Sequence, residues 1–126
     1  MKLIVAGTGY VGLVQAAVCS EYGHEVYAYD VDKYKIDAVS TGQADEIEKF
    51  VMEPGLSNII RETHGKSLFF SNDLKAIIEG THTIFLCLPT PANLDGSTNL
   101  TYFDAAADEI AEILVRRKDK RRIVLV

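Results

Sequence analysis

The chain has 126 residues, a length that suits one domain with a sizeable core. Its composition is ordinary for a soluble globular protein, with 48% hydrophobic and 25% charged residues, and no apolar stretch approaches a membrane span. The net charge of −5 argues against a general nucleic-acid binder. The first residues lead straight into a predicted strand and leave no room for a signal peptide. We therefore expect a cytoplasmic protein with neither a nucleic-acid nor a membrane partner.

One stretch departs from this acidic balance. Residues 116–122 read RRKDKRR and hold six of the thirteen basic residues; we refer to them as the basic segment. Cations at the end of a helix complement its dipole, so we expect the segment to end the last helix and form a solvated loop. A contact surface for a further domain or an acidic partner is the alternative.

Apolar, β-prone runs alternate with helical patterns along the chain. The predicted strands are Lys2–Ala6, Glu25–Tyr29, Ser67–Phe70, Thr83–Leu88 and Arg122–Val126. The predicted helices are Val11–Tyr22, Asp32–Ser40, Gly55–Thr63, Asp73–Glu79 and Thr101–Arg117. Asp32 and Asn72 stand where N-caps belong, and Gly23 stands where a left-handed residue ends the first helix. The acidic segment Thr41–Pro54 is expected to be a loop.

The last helix has the clearest period. Three- and four-residue steps give it one apolar face, made of Phe103, Ala106, Ala107, Ile110, Ile113 and Leu114. Alternating strands and helices predict an α/β, Rossmann-type doubly wound parallel sheet in the order 3-2-1-4-5, with a crevice between strands 1 and 4. Ile123–Val126 reads as the middle of a buried strand. We therefore expect residues 1–126 to be an N-terminal piece of a longer protein, truncated before a sixth strand.

Residues 7–12 read GTGYVG between the first strand and the first helix. This is the G-x-G-x-x-G pattern of dinucleotide binding. Gly7 permits the tight turn, Gly9 lets the backbone approach a pyrophosphate, and Gly12 lets the helix pack closely on the strand. The backbone N–H groups of Tyr10 and Val11 should point at phosphate. Val11 is also a candidate for the first core residue of the helix.

Asp30 ends the second strand, eighteen residues after Gly12. An acid at this position accepts hydrogen bonds from the adenosine ribose and repels a 2′-phosphate, which favours NAD over NADP. The alternative is that Asp30 only caps the next helix. Lys33 and Lys35 follow closely, either as cofactor contacts or as plain surface lysines.

The segment Pro89–Pro91 directly follows the fourth strand, at the point where a loop can touch the ribose or nicotinamide end of the cofactor. A rigid turn with no ligand is the alternative. Cys19 and Cys87 have no metal-ligand spacing and fit small core residues in a reducing compartment. We find no nucleophile–base arrangement and no metal cluster, so we predict no catalytic and no metal-binding residue.

Several segments together resemble one family, the UDP-glucose 6-dehydrogenase group of nucleotide-sugar dehydrogenases. The matching pieces are residues 7–13 (GTGYVGL), 23–26 (GHEV), 30–32 (DVD), 53–56 (EPGL), 65–71 (GKSLFFS), 89–91 (PTP) and 95–97 (DGS). The resemblance spans nearly the whole chain and identifies residues 1–126 as an N-terminal NAD-binding domain. Residues 50–52 (FVM) depart from the Ile-Tyr that the family often has there.

The resemblance implies a set of residues that contact NAD. These are Gly7, Thr8, Gly9, Tyr10, Val11, Gly12, Asp30, Lys35 and Thr90. It also implies oxidation of the C6 hydroxyl of a UDP-sugar to a carboxylate with two NAD, by a homodimer whose nucleophilic cysteine lies in the later part of the family's chain. Cys19 and Cys87 do not match that cysteine's motif, so we expect this chain to be inactive alone.

Two other functions remain open at this point. One is the corresponding domain of a UDP-N-acetylmannosamine or GDP-mannose dehydrogenase, because the sugar is mainly recognised elsewhere in this family. The other is a regulatory module that senses a nucleotide through the same glycine loop and acid without chemistry.

Overall fold

The computed structural model describes residues 1–117 and 123–126. Five parallel strands form one sheet in these residues, in the order β3-β2-β1-β4-β5. The strands are β1 Lys2–Ala6, β2 Glu25–Tyr29, β3 Leu68–Ser71, β4 Thr83–Leu86 and β5 Val124–Leu125. The predicted fold class and strand order are confirmed.

The central strand β1 explains why both faces of the sheet are covered. Leu3 and Val5 point into one apolar cluster, while Ile4 and Ala6 point into a second cluster on the other face. All four side chains are buried. Since a fully buried aliphatic side chain contributes about 1.5–3 kcal/mol, a strand that is apolar on both faces belongs in the middle of such a sheet.

The helices lie in the connections between the strands. These are α1 Tyr10–Glu21, α2 Lys33–Val39, α3 Ala44–Glu48, α4 Leu56–Thr63, α5 Leu74–Ile77 and α6 Thr101–Arg116. Gly23 has the left-handed conformation expected after α1, with φ of +87°. The N-cap of α5 is Asp73 rather than Asn72, because the Asp73 carboxylate accepts a hydrogen bond from the Ala76 N–H.

The prediction that Thr41–Pro54 is only a loop is wrong, because α3 lies inside it. This helix has five residues and no side-chain N-cap. Ile47 is its buried side chain, and it packs in the same cluster as Val51. Such a short helix is held by tertiary burial rather than by its own propensity, so it leaves little periodic signal in the sequence.

Helix α6 covers the sheet less completely than its pattern predicts. Ile110 is its buried residue, Phe103 is half-buried, and Ala107 is exposed rather than part of the apolar face. The expected solvated loop after α6 is also wrong at one position: Arg117 is buried, with Nε 3.8 Å from the Glu79 carboxylate. The rest of the basic segment, residues 118–122, lies outside the described residues, as does the first residue of the predicted fifth strand.

The carboxyl ends of the parallel strands meet at one edge of the sheet. The glycine loop follows β1 at this edge, Asp30 follows β2, and Cys87 follows β4. Strand β4 ends two residues earlier than predicted, although the Cys87 N–H still bonds the Ala6 carbonyl at 2.8 Å. No helix of the described part of the chain is long and apolar enough to cross a bilayer.

Candidate functional site

The turn between β1 and α1 requires glycine at its first and last positions. Gly7 has φ of +99°, and a Cβ there would lie 2.2 Å from the Cys87 carbonyl oxygen. A Cβ on Gly12 would lie 1.8 Å from the Gly7 carbonyl oxygen. The Gly7 N–H bonds the Tyr29 carbonyl at 2.8 Å, so the loop is fastened to β2 and pressed against the residue that follows β4.

Gly9 has a different reason to be glycine. Its φ of −76° is open to any residue, and a Cβ there would meet nothing within 4 Å. Gly9 is the N-cap of α1 and offers no side chain to the first N–H groups of this twelve-residue helix, whose first turn also holds no acid. The helix therefore presents uncapped N–H donors to open space, an arrangement suited to phosphate.

The two residues between Gly9 and Gly12 point outward. Val11 is 72% exposed, so the prediction that it is also a first core residue of the helix is wrong. The Tyr10 hydroxyl donates to the Met52 carbonyl and lies 3.2 Å from Glu53 Oε2. This contact ties the start of α1 to the Glu53–Leu56 stretch, which leads into α4.

Asp30 is buried at the end of β2 and hydrogen-bonded on both carboxylate oxygens. Oδ2 accepts from the Thr8 N–H at 2.9 Å, the Thr8 hydroxyl at 2.8 Å and Lys35 Nζ at 3.0 Å. Oδ1 accepts from the Asp32 N–H at 3.1 Å. Burial alone raises the pKa of the Asp30 carboxyl, but the donors from Thr8, Asp32 and Lys35 outweigh it and hold that pKa below its ordinary value.

The alternative that Asp30 only caps the next helix is wrong, because Asp32 has that role. The Asp32 side chain accepts from the Lys35 N–H at the start of α2.

The two neighbouring lysines have different partners. Lys33 pairs with Asp37 on the exposed face of α2 at 2.6 Å, whereas Lys35 turns toward Asp30. Of the two, Lys35 is the one beside the cavity.

A cavity of about 510 Å³ lies in front of this edge of the sheet, within the size range of small-molecule sites. Gly7, Gly9, Asp30 and Lys35 line one part of it, and Cys87, Leu88 and Pro89 line another. Thr90 stands in the exposed loop just beyond Pro89 and does not line the cavity. Four of the nine predicted cofactor contacts thus line one crevice, namely Gly7, Gly9, Asp30 and Lys35. The other five lie outside its lining, with Thr8, Tyr10, Val11 and Gly12 in the turn and the first residues of α1, and Thr90 in the loop at its margin. All nine contacts with NAD stay predictions.

The sequence does not predict one wall of the cavity. Helix α6 forms this wall with Tyr102, Ala105, Ala106 and Glu109. The sequence signal for this wall is the run of small residues at 105–107, in the helix after β4.

The Tyr29 hydroxyl lies 3.1 Å from Glu109 Oε2. Burial, and next the Glu109 carboxylate, raise the pKa of Tyr29 to about 12, so the phenol is a neutral donor at ordinary pH.

Both cysteines are free thiols of intermediate burial. Cys87 is half-buried at the cavity, and burial raises the pKa of its thiol. Cys19 lies on α1, where its sulfur is 3.0 Å from Gln15 Nε2. Within residues 1–117 and 123–126, no three His, Cys, Asp or Glu side chains are grouped so as to hold a metal ion.

These features define a class of protein. A 3-2-1-4-5 parallel sheet, a glycine turn into a helix N-terminus and a buried acid at the end of β2 are the parts of a Rossmann-type dinucleotide-binding domain. The open space at Gly9, the uncapped donors of α1 and the cavity beside Asp30 fit such a cofactor.

Comparisons with known proteins narrow this class to one family. The family model described as UDP-glucose/GDP-mannose dehydrogenase family, NAD binding domain, matches residues 1–126. UDP-glucose 6-dehydrogenase AglM of Haloferax volcanii is 36% identical over 124 residues, which are 98% of this chain and 27% of that protein. The chain belongs to the UDP-glucose/GDP-mannose dehydrogenase family and is its NAD-binding domain.

Solved structures agree with this assignment. The GDP-mannose dehydrogenase of Pseudomonas aeruginosa, in a ternary complex, superposes with a TM-score of 0.87 at 28% identity, covering 99% of this chain and 28% of that one. The UDP-glucose dehydrogenase of Pyrobaculum islandicum gives a TM-score of 0.84 at 28% identity, covering 98% of this chain and 28% of the other. The chain thus spans little more than a quarter of the length of these proteins.

Proposed function

We propose that this chain is the cofactor-holding part of a UDP-glucose 6-dehydrogenase, which oxidises the C6 hydroxyl of a UDP-sugar to a carboxylate with two NAD. The arrangement of Gly9 and Asp30 carries the proposal. The open N-terminus of α1 and a buried carboxylate stand on one cavity, as a pyrophosphate and its ribose require.

Each residue has a defined part in this proposal. The N–H groups at the start of α1, on Tyr10 and Val11, hold the pyrophosphate, and Asp30 with Lys35 holds the adenosine ribose. The loop at Thr90 borders the nicotinamide end. When NAD is bound, its nicotinamide accepts the hydride from the alcohol. A carboxylate kept ionised despite its burial accepts ribose hydrogen bonds and repels a 2′-phosphate, which selects NAD over NADP.

The nucleophile that completes the reaction is not proposed among these residues. The thiol of Cys87 is half-buried with a raised pKa, the opposite of an activated cysteine, and Cys19 stands on α1 away from the cavity lining. We therefore propose that this chain alone binds NAD weakly and forms no NADH from UDP-glucose. Calorimetric titration with NAD, beside an absorbance assay for NADH with UDP-glucose, tests both statements; an absent NAD isotherm contradicts the first and NADH formation the second.

The choice of sugar has a second candidate. The P. aeruginosa GDP-mannose dehydrogenase is as similar in structure to this chain as the P. islandicum UDP-glucose dehydrogenase, which keeps GDP-mannose as an alternative substrate. Comparing NADH formation from the two nucleotide sugars by the whole protein decides between them. A nucleotide-sensing module is favoured only if the whole protein binds NAD and oxidises none of UDP-glucose, GDP-mannose and UDP-N-acetylmannosamine.

Two properties of the whole protein complete the proposal. We propose a cytoplasmic location, supported by the two free thiols Cys19 and Cys87, which suit a reducing compartment. We also propose that the whole protein is a homodimer, as the resemblance to the family implies. Light scattering on the purified whole protein tests the dimer, and a monomeric mass contradicts it.

A further inference from the structure

The two oxygens of the Asp30 carboxylate have unequal surroundings. Oδ2 accepts three hydrogen bonds, two of them from Thr8 and one from Lys35. Oδ1 accepts one, from the Asp32 N–H. Because a carboxylate offers about four lone-pair positions in all, Oδ2 is saturated and Oδ1 keeps room for a further donor.

Thr8 determines which of the two Asp30 oxygens is occupied, because it donates twice to Oδ2. It is fully buried, with 0% of its surface exposed, and both its N–H and its hydroxyl are directed at the same carboxylate oxygen. Its side chain therefore has no surface to offer a ligand. Held by Thr8 on one oxygen and by the Asp32 N–H on the other, the carboxylate plane of Asp30 is fixed before any ligand arrives.

We propose that Thr8 is a positioning residue that acts through Asp30, and that it reserves Oδ1 as the carboxylate oxygen that receives the adenosine ribose. This inference rests on the proposed function, since it assigns a part to a residue that the family resemblance placed among the direct cofactor contacts. Lys35, on Oδ2, keeps two of its three ammonium protons for other acceptors beside the cavity.

Thr8 also helps to keep Asp30 ionised among neighbours of both signs. Lys35 approaches from α2, Asp32 lies in the same turn, and Glu109 faces the cavity from α6 through its bond to Tyr29. Lys35 is the cation among these groups, and three neutral donors also support the negative charge: the Thr8 N–H, the Asp32 N–H and the Thr8 hydroxyl. Removing the hydroxyl should therefore favour the protonated acid.

The test uses three substitutions in the 126-residue chain. Thr8→Val removes the hydroxyl with little change of shape, Thr8→Ser keeps it, and Thr81→Val is the matched control. Thr81 is 1% exposed at the amino end of β4, the far edge of the sheet. If Thr8→Val does not fold, Thr8→Ala removes the same hydroxyl without adding a methyl group.

Two readouts are combined. One is NMR titration of the Asp30 carboxyl without ligand, and the other is calorimetric NAD affinity from pH 8 down through the folded pKa of Asp30, which lies below its ordinary 3.8. We expect Thr8→Val to raise the Asp30 titration midpoint, to move the acid limb of NAD affinity to higher pH by the same amount, and to weaken NAD binding about tenfold at pH 7. Thr8→Ser and Thr81→Val should stay within about twofold of the unmodified chain.

The inference is overturned if Thr8→Val lowers only thermal stability and leaves the Asp30 midpoint in place. It is also overturned if Thr8→Ser weakens NAD binding as much as Thr8→Val, since the hydroxyl is then not the group at work. Failure of the proposed function looks different: the unmodified chain shows no NAD isotherm, while the ligand-free titration of Asp30 still reports whether Thr8 supports the carboxylate.

Discussion

A substitution at Gly9 should change the affinity for NAD with little effect on the stability of the fold. In Gly9→Ala the added Cβ meets nothing within 4 Å, and the φ of −76° suits alanine. Lower entropy of the unfolded chain stabilises the variant by about 0.4–1 kcal/mol. Alanine is a poorer N-cap than glycine by a similar amount, so the free energy of unfolding should change by less than about 1 kcal/mol.

NAD affinity should respond differently to the same methyl group. It projects into the space in front of α1, where the pyrophosphate approaches the backbone, and a displaced phosphate loses its hydrogen bonds to the helix N-terminus. We expect the dissociation constant for NAD to rise at least tenfold, or about 1.4 kcal/mol. Thermal unfolding and calorimetry on one preparation measure both quantities.

Gly23→Ala is the matched control for Gly9→Ala. A Cβ on Gly23 would also meet nothing within 4 Å, but the φ of +87° at this position strains alanine by about 1–2 kcal/mol. Gly23 lies after α1, at the far end of that helix, so NAD affinity should be unchanged while stability falls. If Gly9→Ala binds NAD as the unmodified chain does, the pyrophosphate does not approach the loop there and the reasoning fails.

The remaining predictions concern the glycine turn and two titrating groups. Gly12→Ala should unfold the chain or lower its melting temperature sharply, because its Cβ falls 1.8 Å from a backbone oxygen; a native-like circular dichroism melt contradicts this. Asp30→Ala should weaken NAD binding by about 1–3 kcal/mol in calorimetry, and an unchanged affinity removes Asp30 from the site. Asp30 has a lowered pKa in the folded chain, so its ionised form stabilises the fold above its ordinary pKa of 3.8, and urea unfolding should show this advantage over Asp30→Asn disappearing as the pH falls through the folded pKa. The pKa of Tyr29 is raised from 10.0 to about 12, so its neutral form stabilises the fold below pH 10 and this is lost as the pH rises to 12; urea unfolding of Tyr29→Phe should lack that loss.

The central strands could be predicted from the sequence because their apolar residues are continuous. Lys2–Ala6 and Glu25–Tyr29 have the bounds that the sequence predicts. Local patterns fail where tertiary contacts decide. Ile47 makes a short helix by burial in a distant cluster, and Arg117 is buried beside Glu79 although it belongs to a highly charged run.

The candidate site also has a part that local sequence patterns predict and a part that they do not. The glycine positions and Asp30 can be predicted from their spacing, since the conformation of the turn and the end of β2 determines each of them. The use of Thr8 could not be predicted, because it depends on a hydrogen bond across 22 residues between a loop and the end of β2. The α6 wall could not be predicted for a related reason. Its alanines line the cavity only because Ile110, Ile113 and Leu114 pack the helix against the sheet.

The small contact of α6 with the sheet has a consequence for how tightly a ligand is held. Ile110 is the buried residue of this helix, and only the half-buried Ile113 and Leu114 of α6 pack beside it against the same cluster. Segments with little buried surface open locally at low free energy. Helix α6, which forms the cavity wall opposite Asp30, is therefore expected to be one of the less stable elements of the fold. A ligand seated between them must also order this helix, and the affinity of the site therefore includes the free energy of docking α6. Any contact that fixes the helix in place, even one remote from the cavity, tightens binding without touching the ligand.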